Sequence, residues 1–252
     1  MPPPLPAAGI LLALLPRKVD NGAMSTDGGS IPSHQDAVPP SVRAQLLATE
    51  HWGLLASRST TQSEVLTRIS MFLTFTSASV VSVALVGQAT RFSEAFVMLA
   101  VIVLCIDVVM GLLTQVRVMN VGQEDMMYVT AMNRLRAAYV DLDPGVASYL
   151  MAAHHDDQAG TERTYFFFGN RSRLSHVAGS SMVFMNSANA ALIAILSGLL
   201  LTLLGAGTTA AVIVGAVCGL AFLAGSVYYG YREYSRTWSR YMPLSPTPAG
   251  EE

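Results

Sequence analysis

No Asp, Glu, Lys or Arg occurs in residues 174–231, which read LSHVAGSSMVFMNSANAALIAILSGLLLTLLGAGTTAAVIVGAVCGLAFLAGSVYYGY. A helix needs about 20 apolar residues to cross the hydrocarbon core of a bilayer. These 58 residues are therefore long enough for two crossings, and Gly205 and Gly207 mark the turn between them. The run predicts two transmembrane helices, near 177–204 and 208–231.

Two stretches closer to the N-terminus are almost free of charge. Residues 69–90 carry no charged side chain, and residues 95–116 carry only Asp107. They predict two more spans, near 69–86 and 95–116. The first of these is rich in Ser and Thr, which indicates that much of this helix faces protein rather than lipid.

The composition supports a membrane protein. Of 252 residues, 52% are hydrophobic and only 13% are charged, whereas soluble domains carry about 25% charged residues. A soluble globule and a disordered chain are both excluded by these values. The predicted fold is all-α: an integral membrane four-helix bundle of two transmembrane hairpins, with helical cytoplasmic extensions.

Charge and cysteine content exclude other classes. The net charge of −2 gives no basic field for nucleic acid. Cys105 and Cys218 both lie in apolar runs, which excludes a disulfide framework and a thiolate metal site of usual spacing. We expect no metal, no cofactor and no catalytic residues.

The basic residues predict the orientation. If the N-terminus is cytoplasmic, the outer loop 87–94 holds one basic residue, Arg91, and the outer turn 205–207 holds none. The other 14 of the 15 basic residues are then inside. The positive-inside rule therefore predicts a multi-pass protein of the cell inner membrane with both termini cytoplasmic.

The remaining segments are expected to lie in the cytoplasm. Pro, Gly, Ser and Asp enrichment predicts disorder before Ser41, and Met24 is a candidate for the true start. The predicted order is a disordered segment (1–40), a cytoplasmic helix (41–68), hairpin 1 (69–116), a cytoplasmic helical segment (117–176), hairpin 2 (177–231), and an interfacial helix and tail (232–252).

The segment between the hairpins has a recognisable break. Pro144 and Gly145 end the helix that continues the second span, and a short helix around 145–153 follows. The sequence His154-His155-Asp156-Asp157 comes next. Adjacent loop residues rarely all reach one metal ion, so it is interpreted as a solvated polar loop.

Asp107 is the most informative single residue, because a carboxylate at the centre of a span costs about 2.5–3.5 kcal/mol on insertion scales. Counted from the predicted membrane ends, Asn186 and Ser79 fall at the same depth, and Asn189 lies one turn higher. We predict an intramembrane polar cluster of these four residues. Two roles stay open: hydrogen-bonded contacts between helices, or a proton or cation site.

Small residues in the fourth span predict close helix packing. Gly215 with Gly219, and Ala221 with Gly225, form small-xxx-small pairs. Packing within the chain and dimerisation both fit this pattern.

The residues after the fourth span form two stripes. At 100° per residue, the aromatic stripe and the arginine stripe fall on nearly opposite faces of a helix. The pattern predicts an interfacial helix that anchors the chain at the membrane surface. Its members are Tyr231, Arg232, Tyr234, Arg236, Trp238, Arg240 and Tyr241.

Three stretches resemble four-span membrane proteins of unknown function from high-GC actinobacteria. They are RSTTQSEVLTR (58–68), AMNRLRAAY (131–139) and DLDPG (141–145). The resemblance would cover about residues 45 to 240 and implies no activity. The order of a helix, a transmembrane hairpin and a cytoplasmic helix is also similar to the SLATT class of two-span effectors, which are proposed to perforate membranes. The second hairpin departs from that plan.

Together these features favour a non-enzymatic membrane scaffold or signalling partner that acts through its cytoplasmic helices. The alternative is an oligomeric pore, or an ion- or proton-conducting protein, centred on Asp107. The expected partners are the lipid bilayer and either further copies of this chain or a second protein, and no nucleic acid.

Overall fold

The computed structural model describes residues 38–168 and 180–250. Within these ranges the chain forms helices and no strand. The elements are α1 (Pro40–Ala89), α2 (Glu94–Leu142), a short 3-10 helix (Pro144–Tyr149), α3 (Gln158–Tyr165), α4 (Ser181–Leu203) and α5 (Thr208–Arg240). Helices α1, α2, α4 and α5 are each long and apolar enough to cross a membrane. The predicted all-helical fold with four candidate spans is confirmed.

Some sequence-based predictions fall outside these ranges. The predicted disordered segment 1–40 lies outside the described residues except for its last three, and Met24 lies in the part not described. Residues 177–179, the predicted start of the third span, are also outside, and α4 begins at Ser181. The Ser180 hydroxyl caps α4 by accepting a hydrogen bond from the Val183 N–H at 3.3 Å.

Two of the helices are far longer than a bilayer requires. Helix α1 has 50 residues and α2 has 49, which corresponds to about 75 Å at 1.5 Å per residue. The hydrocarbon core is only about 30 Å thick. More than half of each helix therefore extends beyond it without a break.

Helices α1 and α2 pack along a regular seam. The buried and half-buried positions of α1 include Ala44, His51, Arg58, Val65 and Phe72, which are spaced seven residues apart. A seven-residue repeat keeps the same face of two helices in contact when they supercoil left-handedly. The first three members precede the predicted first span, and two of them are polar.

The turn between α1 and α2 is tight and strained. Arg91 and Phe92 have φ angles of 53° and 55°, in the left-handed region that side chains other than glycine rarely adopt. The Phe92 ring lies against Gly87, where an added Cβ would approach it to 2.8 Å. The turn between α4 and α5 instead uses Gly205, whose φ of 84° costs glycine little.

Helix α2 is central to the fold, since it contacts α1, α3 and α4, while α5 packs on α4. The apolar core lies at these contacts and is formed by Val65, Ile69, Phe72, Leu104, Val118, Val121, Met185 and Leu192. Large apolar side chains elsewhere on the spans are exposed, as expected for a surface covered by lipid.

Beyond the spans, three parts of the chain pack together. We call them the extramembrane platform: residues 40–68 of α1, residues 117–168, and residues 232–250. Arg58 pairs with Asp125, and Asp156 accepts a hydrogen bond from Tyr241. These contacts place all three parts on the same side of the spans.

Candidate functional site

Asp107 is fully buried on α2, facing α1. Its polar neighbours are the hydroxyls of Ser79 and Thr76 on α1. Neither carboxyl oxygen forms a hydrogen bond of good geometry with a described residue, and the Thr76 hydroxyl is likewise without one. The structure thus brings Asp107 and Ser79 together as predicted neighbours. It leaves the carboxyl without the bonds that normally offset the cost of burial.

Asn189 lies in a separate polar chain across three helices. Its Nδ2 donates to Oε1 of Gln115 at 2.5 Å, and Nε2 of Gln115 donates to the Ser226 hydroxyl at 3.3 Å. Asn189 Oδ1 rests against Gly111, where an added Cβ would collide with it. Gly111 therefore makes room for the asparagine of α4 on the surface of α2.

Asn186 does not share the depth of Asp107. Helices α2 and α4 run antiparallel, since Gly111 lies opposite Asn189 while Met119 and Met182 line the same groove. Asn186 precedes Asn189 by three residues, and Asp107 precedes Gly111 by four, so the two side chains are offset by about seven residues, or roughly 10 Å. Both amide atoms of Asn186 are buried and without a described partner. The four predicted residues therefore do not form one cluster. Asp107 and Ser79 are neighbours, whereas Asn186 and Asn189 lie nearer the other end of the α2–α4 contact, and only Asn189 has a described partner.

An open groove of about 350 Å³ lies between α2, α4 and α5. Its lining is mainly apolar, and Gln115 and Ser226 supply polar groups to it. Within the described residues, no group of three or more His, Cys, Asp or Glu side chains is arranged to hold a metal ion.

The two small-residue pairs of α5 behave differently. A Cβ at Gly215 would lie 2.5 Å from the Ala194 carbonyl oxygen, and one at Gly219 would lie 2.7 Å from the Ala190 carbonyl oxygen. This pair therefore packs within the chain, against α4. Ala221 and Gly225 are exposed, and a Cβ at Gly225 would meet nothing within 4 Å.

The residues after the fourth span do not form a separate helix. Helix α5 continues unbroken from Thr208 to Arg240, and residues 241–250 form a non-helical tail. The predicted helix and tail over 232–252 therefore take the form of the last turns of α5 followed by a tail that contains Pro243. The location of this segment at a membrane surface stays a prediction.

The aromatic stripe of this segment contacts protein. The Tyr234 hydroxyl donates to Glu162 at 3.2 Å, the Tyr241 hydroxyl donates to Asp156 at 2.9 Å, and the Trp238 ring packs edge-on between both tyrosines. These aromatics hold α5 against α3 and its preceding loop. The other members of the two stripes are exposed: Tyr231, Arg232, Arg236 and Arg240.

Asp156 corrects the interpretation of residues 154–157 as a solvated loop. Its side chain is fully buried and accepts hydrogen bonds from the Arg134 guanidinium at 2.8 Å and from the N–H groups of Leu244 and Ser245 at 3.1 and 2.7 Å. Burial alone would raise the pKa of Asp156, but these donors outweigh it and hold that pKa below its usual value.

Asp157 completes this clamp on the C-terminal tail. One carboxylate oxygen caps α3 by accepting the Gly160 N–H at 2.8 Å and also accepts the Thr247 hydroxyl. The other accepts the Thr247 N–H at 2.7 Å. Helix α3 was not predicted, although an Asp at the cap position is a recognisable helix-start signal. The tail contacts left no local signal in the sequence.

Asp125 is a second centre that sequence reasoning missed. It accepts hydrogen bonds from Arg58 Nε and Gln62 Nε2 on α1, each at 2.6 Å, and from the Tyr165 hydroxyl on α3 at 2.6 Å. Burial would raise the pKa of Asp125, but the bonds from Arg58 and Tyr165 lower it overall. Asp125 thereby joins α1, α2 and α3 into one unit.

The chain matches no known family model, no curated protein and no solved structure. Both resemblances described above therefore remain predictions, and the argument for function rests on the residues themselves.

Proposed function

We propose that this protein is a non-enzymatic membrane scaffold or signalling partner that acts through the extramembrane platform. We place the platform on the cytoplasmic side of a bacterial inner membrane, with both termini cytoplasmic and the spans arranged as two hairpins. One observation carries the proposal: α1 and α2 run without a break from the spans into a platform that buried carboxylates hold together.

Unbroken helices connect events in the membrane to the platform. A continuous α-helix is stiff over its length, so a tilt or shift of α1 or α2 within the bilayer also displaces its extramembrane half. Asp125 fastens α1 and α3 to α2, and Asp156 fastens the end of α5 to the same unit. Movements of three of the four spans, α1, α2 and α5, are therefore transmitted to the platform.

The platform also offers a surface for a protein partner. On α1, outside the seam with α2, the side chains of Val42, Leu46 and Trp52 are 42%, 63% and 72% exposed. Val42 and Leu46 lie on one side of the helix, and Trp52 lies about 80–120° around it from them. Trp is the largest of these exposed side chains, and Trp is enriched at the centres of protein–protein contacts. An exposed apolar surface of this kind suits the binding of a partner protein, which is what a scaffold requires.

A photo-crosslinking amino acid at Trp52 tests this proposal in living cells. We expect one defined adduct, with a second protein or with another copy of this chain. The matched control places the same crosslinker at Glu50, which is exposed and lies about 160° around α1 from Trp52. Identical adducts from both positions, or none from Trp52, would contradict the proposal.

A second candidate is an oligomeric pore or an ion- or proton-conducting protein centred on Asp107. The specific observation in its favour is the fully buried carboxyl, which has no hydrogen-bond partner among the described residues. Intramembrane carboxyls often mark ion or proton paths. Native mass spectrometry in lipid nanodiscs separates the candidates. A ring of four or more subunits, with liposome flux that Asp107→Asn abolishes, would replace the scaffold proposal. A monomer or dimer without flux supports it.

A further inference from the structure

One arginine of the extramembrane platform has no carboxylate partner although it is half-buried. Arg136, on α2, forms no ion pair with any described residue. The other half-buried arginines of the platform are all paired, at 2.6 to 3.0 Å: Arg58 with Asp125, Arg117 with Glu64 and Glu124, and Arg134 with Asp156. A half-buried charge without a counter-charge is costly, so the exception requires a physical reason.

The Arg136 guanidinium is held in place by a buried amide. Its Nη1 donates to Oδ1 of Asn133 at 2.6 Å, and Asn133 is fully buried. Asn133 is itself fixed, because its Nδ2 donates to the His155 carbonyl at 2.9 Å and its Oδ1 accepts the Thr164 hydroxyl at 2.9 Å. Nε and Nη2 of Arg136 are left as oriented donors without a described acceptor.

Two further basic side chains, Arg58 and His51, lie near Arg136. Burial and the nearby Arg58 guanidinium lower the pKa of Arg136, and burial together with Arg136 lowers the pKa of His51. His51 and Arg58 are the two polar members of the α1 seam, and the His51 ring stacks on Tyr139 of α2. Asp125 supplies the counter-charge of Arg58, and the lowered pKa leaves His51 neutral at pH 7. Arg136 is therefore the one member of this group whose charge has no described counter-charge.

These observations together identify a ligand class. We propose that Arg136, with the Arg58–Asp125 pair and His51 beside it, forms a binding site for a soluble phosphate-bearing anion. A guanidinium with two free donors matches the geometry of phosphate oxygens. A phosphate monoester carries a net negative charge at pH 7 and several acceptor oxygens, so it can supply the missing counter-charge and accept from both free donors of Arg136.

The distance from the membrane favours a soluble ligand over a lipid headgroup. Arg136 follows Arg117, the residue after the predicted second span, by 19 residues of continuous helix. At 1.5 Å per residue this is roughly 28 Å. The headgroup region adds only about 5–8 Å to each side of the hydrocarbon core. The site therefore lies beyond the reach of a lipid phosphate in the bilayer plane.

This inference deepens the proposed function by naming a ligand for the platform. The test uses the full chain in phosphatidylcholine nanodiscs, with inorganic phosphate as the probe and chloride at equal ionic strength as the reference. The variants are Arg136→Gln and the matched control Arg163→Gln, an exposed arginine of α3 that forms no ion pair with a described residue. Failure to bind phosphate would leave the crosslinking test at Trp52 unaffected.

We expect phosphate to raise the Tm of the wild type and of Arg163→Gln but not of Arg136→Gln, with at least tenfold weaker binding by calorimetry for Arg136→Gln. In phosphate-free buffer, Arg136→Gln should have a Tm close to that of the wild type, because the removal of an uncompensated charge offsets the loss of the bond to Asn133. A Tm far below that of both the wild type and Arg163→Gln in this buffer would mean that another group of this chain already pairs with Arg136, and would overturn the proposal.

Two further results would also overturn it. One is an absent phosphate response in the wild type, or an equal response in Arg136→Gln. The other is a Tm increase that requires phosphatidylglycerol in the nanodisc and disappears in Arg136→Gln, which would assign the site to a lipid headgroup.

Discussion

Asp156 and Asp107 are both fully buried, but their surroundings differ completely. Asp156, in the extramembrane platform, accepts bonds from a guanidinium, a tyrosine hydroxyl and two backbone N–H groups of the C-terminal tail. Asp107, within a span, has two hydroxyl neighbours and no hydrogen bond of good geometry. The Asp156 carboxylate holds separate parts of the chain together, whereas the Asp107 carboxyl is buried without holding other groups in place.

The comparison separates two uses of a buried acid. A carboxylate that receives several donors is stabilised as an anion and fastens distant parts of the chain. A carboxyl in a span without donors does not stabilise the fold. Either it has a functional role, or the fold tolerates its modest energetic cost. Variants at the two positions, and at the helix contacts around them, can therefore test where polar groups contribute stability.

The largest effect is expected from Asp156→Ala. The change leaves Arg134 and two backbone N–H groups without their acceptor, so we expect a loss of about 3 kcal/mol in the free energy of unfolding. Residues 241–250 should also become accessible to protease, which mass spectrometry of the fragments measures. Asp141→Ala is the control, since Asp141 is exposed and forms no described bond. Equal effects of both variants would refute a clamping role for Asp156.

A smaller effect is expected from the glycines of α5. A Cβ at Gly219 would lie 2.7 Å from the Ala190 carbonyl oxygen and 2.9 Å from the Ala194 Cβ. Gly219→Ala should therefore destabilise the α4–α5 contact by about 1–3 kcal/mol. Gly225→Ala, where a Cβ meets nothing within 4 Å, should be neutral or slightly stabilising. Thermal unfolding in detergent compares the two, and a costly Gly225→Ala would indicate that this second pair contacts another copy.

Acid should weaken the platform through Asp125. Its pKa is lowered in the folded state because the bonds from Arg58 and Tyr165 outweigh burial. A lowered pKa contributes stability above the unfolded-state value of about 3.9, and this contribution is lost as the pH falls through the folded-state pKa. Unfolding measured between pH 7 and pH 3 should thus show a decline below about pH 4 that Asp125→Asn reduces. An unchanged pH profile in that variant would contradict the assignment.

The spans were predictable from the sequence, but their mutual register was not. A stretch that crosses the bilayer must be long and uncharged, and its backbone N–H and C=O groups must bond to one another, which a helix achieves. The four helices therefore follow from the gaps in charge. Register depends on where each helix begins. The predicted start at residue 177 placed Asn186 level with Asp107, whereas in the structure Asn189 lies opposite Gly111.

The platform was predictable only in part. A helix leading into the first span was expected from the sequence, and α1 is continuous. The clamp at Asp156 was not expected, because its partners Leu244 and Ser245 lie 88 and 89 residues away in the sequence. A pair of adjacent aspartates in a polar stretch looks the same whether it faces water or a folded tail. The missing information was long-range packing, which local patterns do not contain.

The smallest effect is expected from Asp107→Asn, and it completes the comparison with Asp156. An amide has nearly the shape of a carboxyl and cannot carry its charge, so it should cost nothing where no donor stabilises the anion. We expect the thermal stability of Asp107→Asn to equal or exceed that of the wild type, and Asp156→Asn to be clearly less stable than both. Measurement of the three proteins in the same nanodiscs decides the point. A strongly destabilised Asp107→Asn would mean that the carboxylate at this position has a partner, supplied by another subunit or by a bound cation, and would shift the balance from the scaffold to the oligomeric conducting protein.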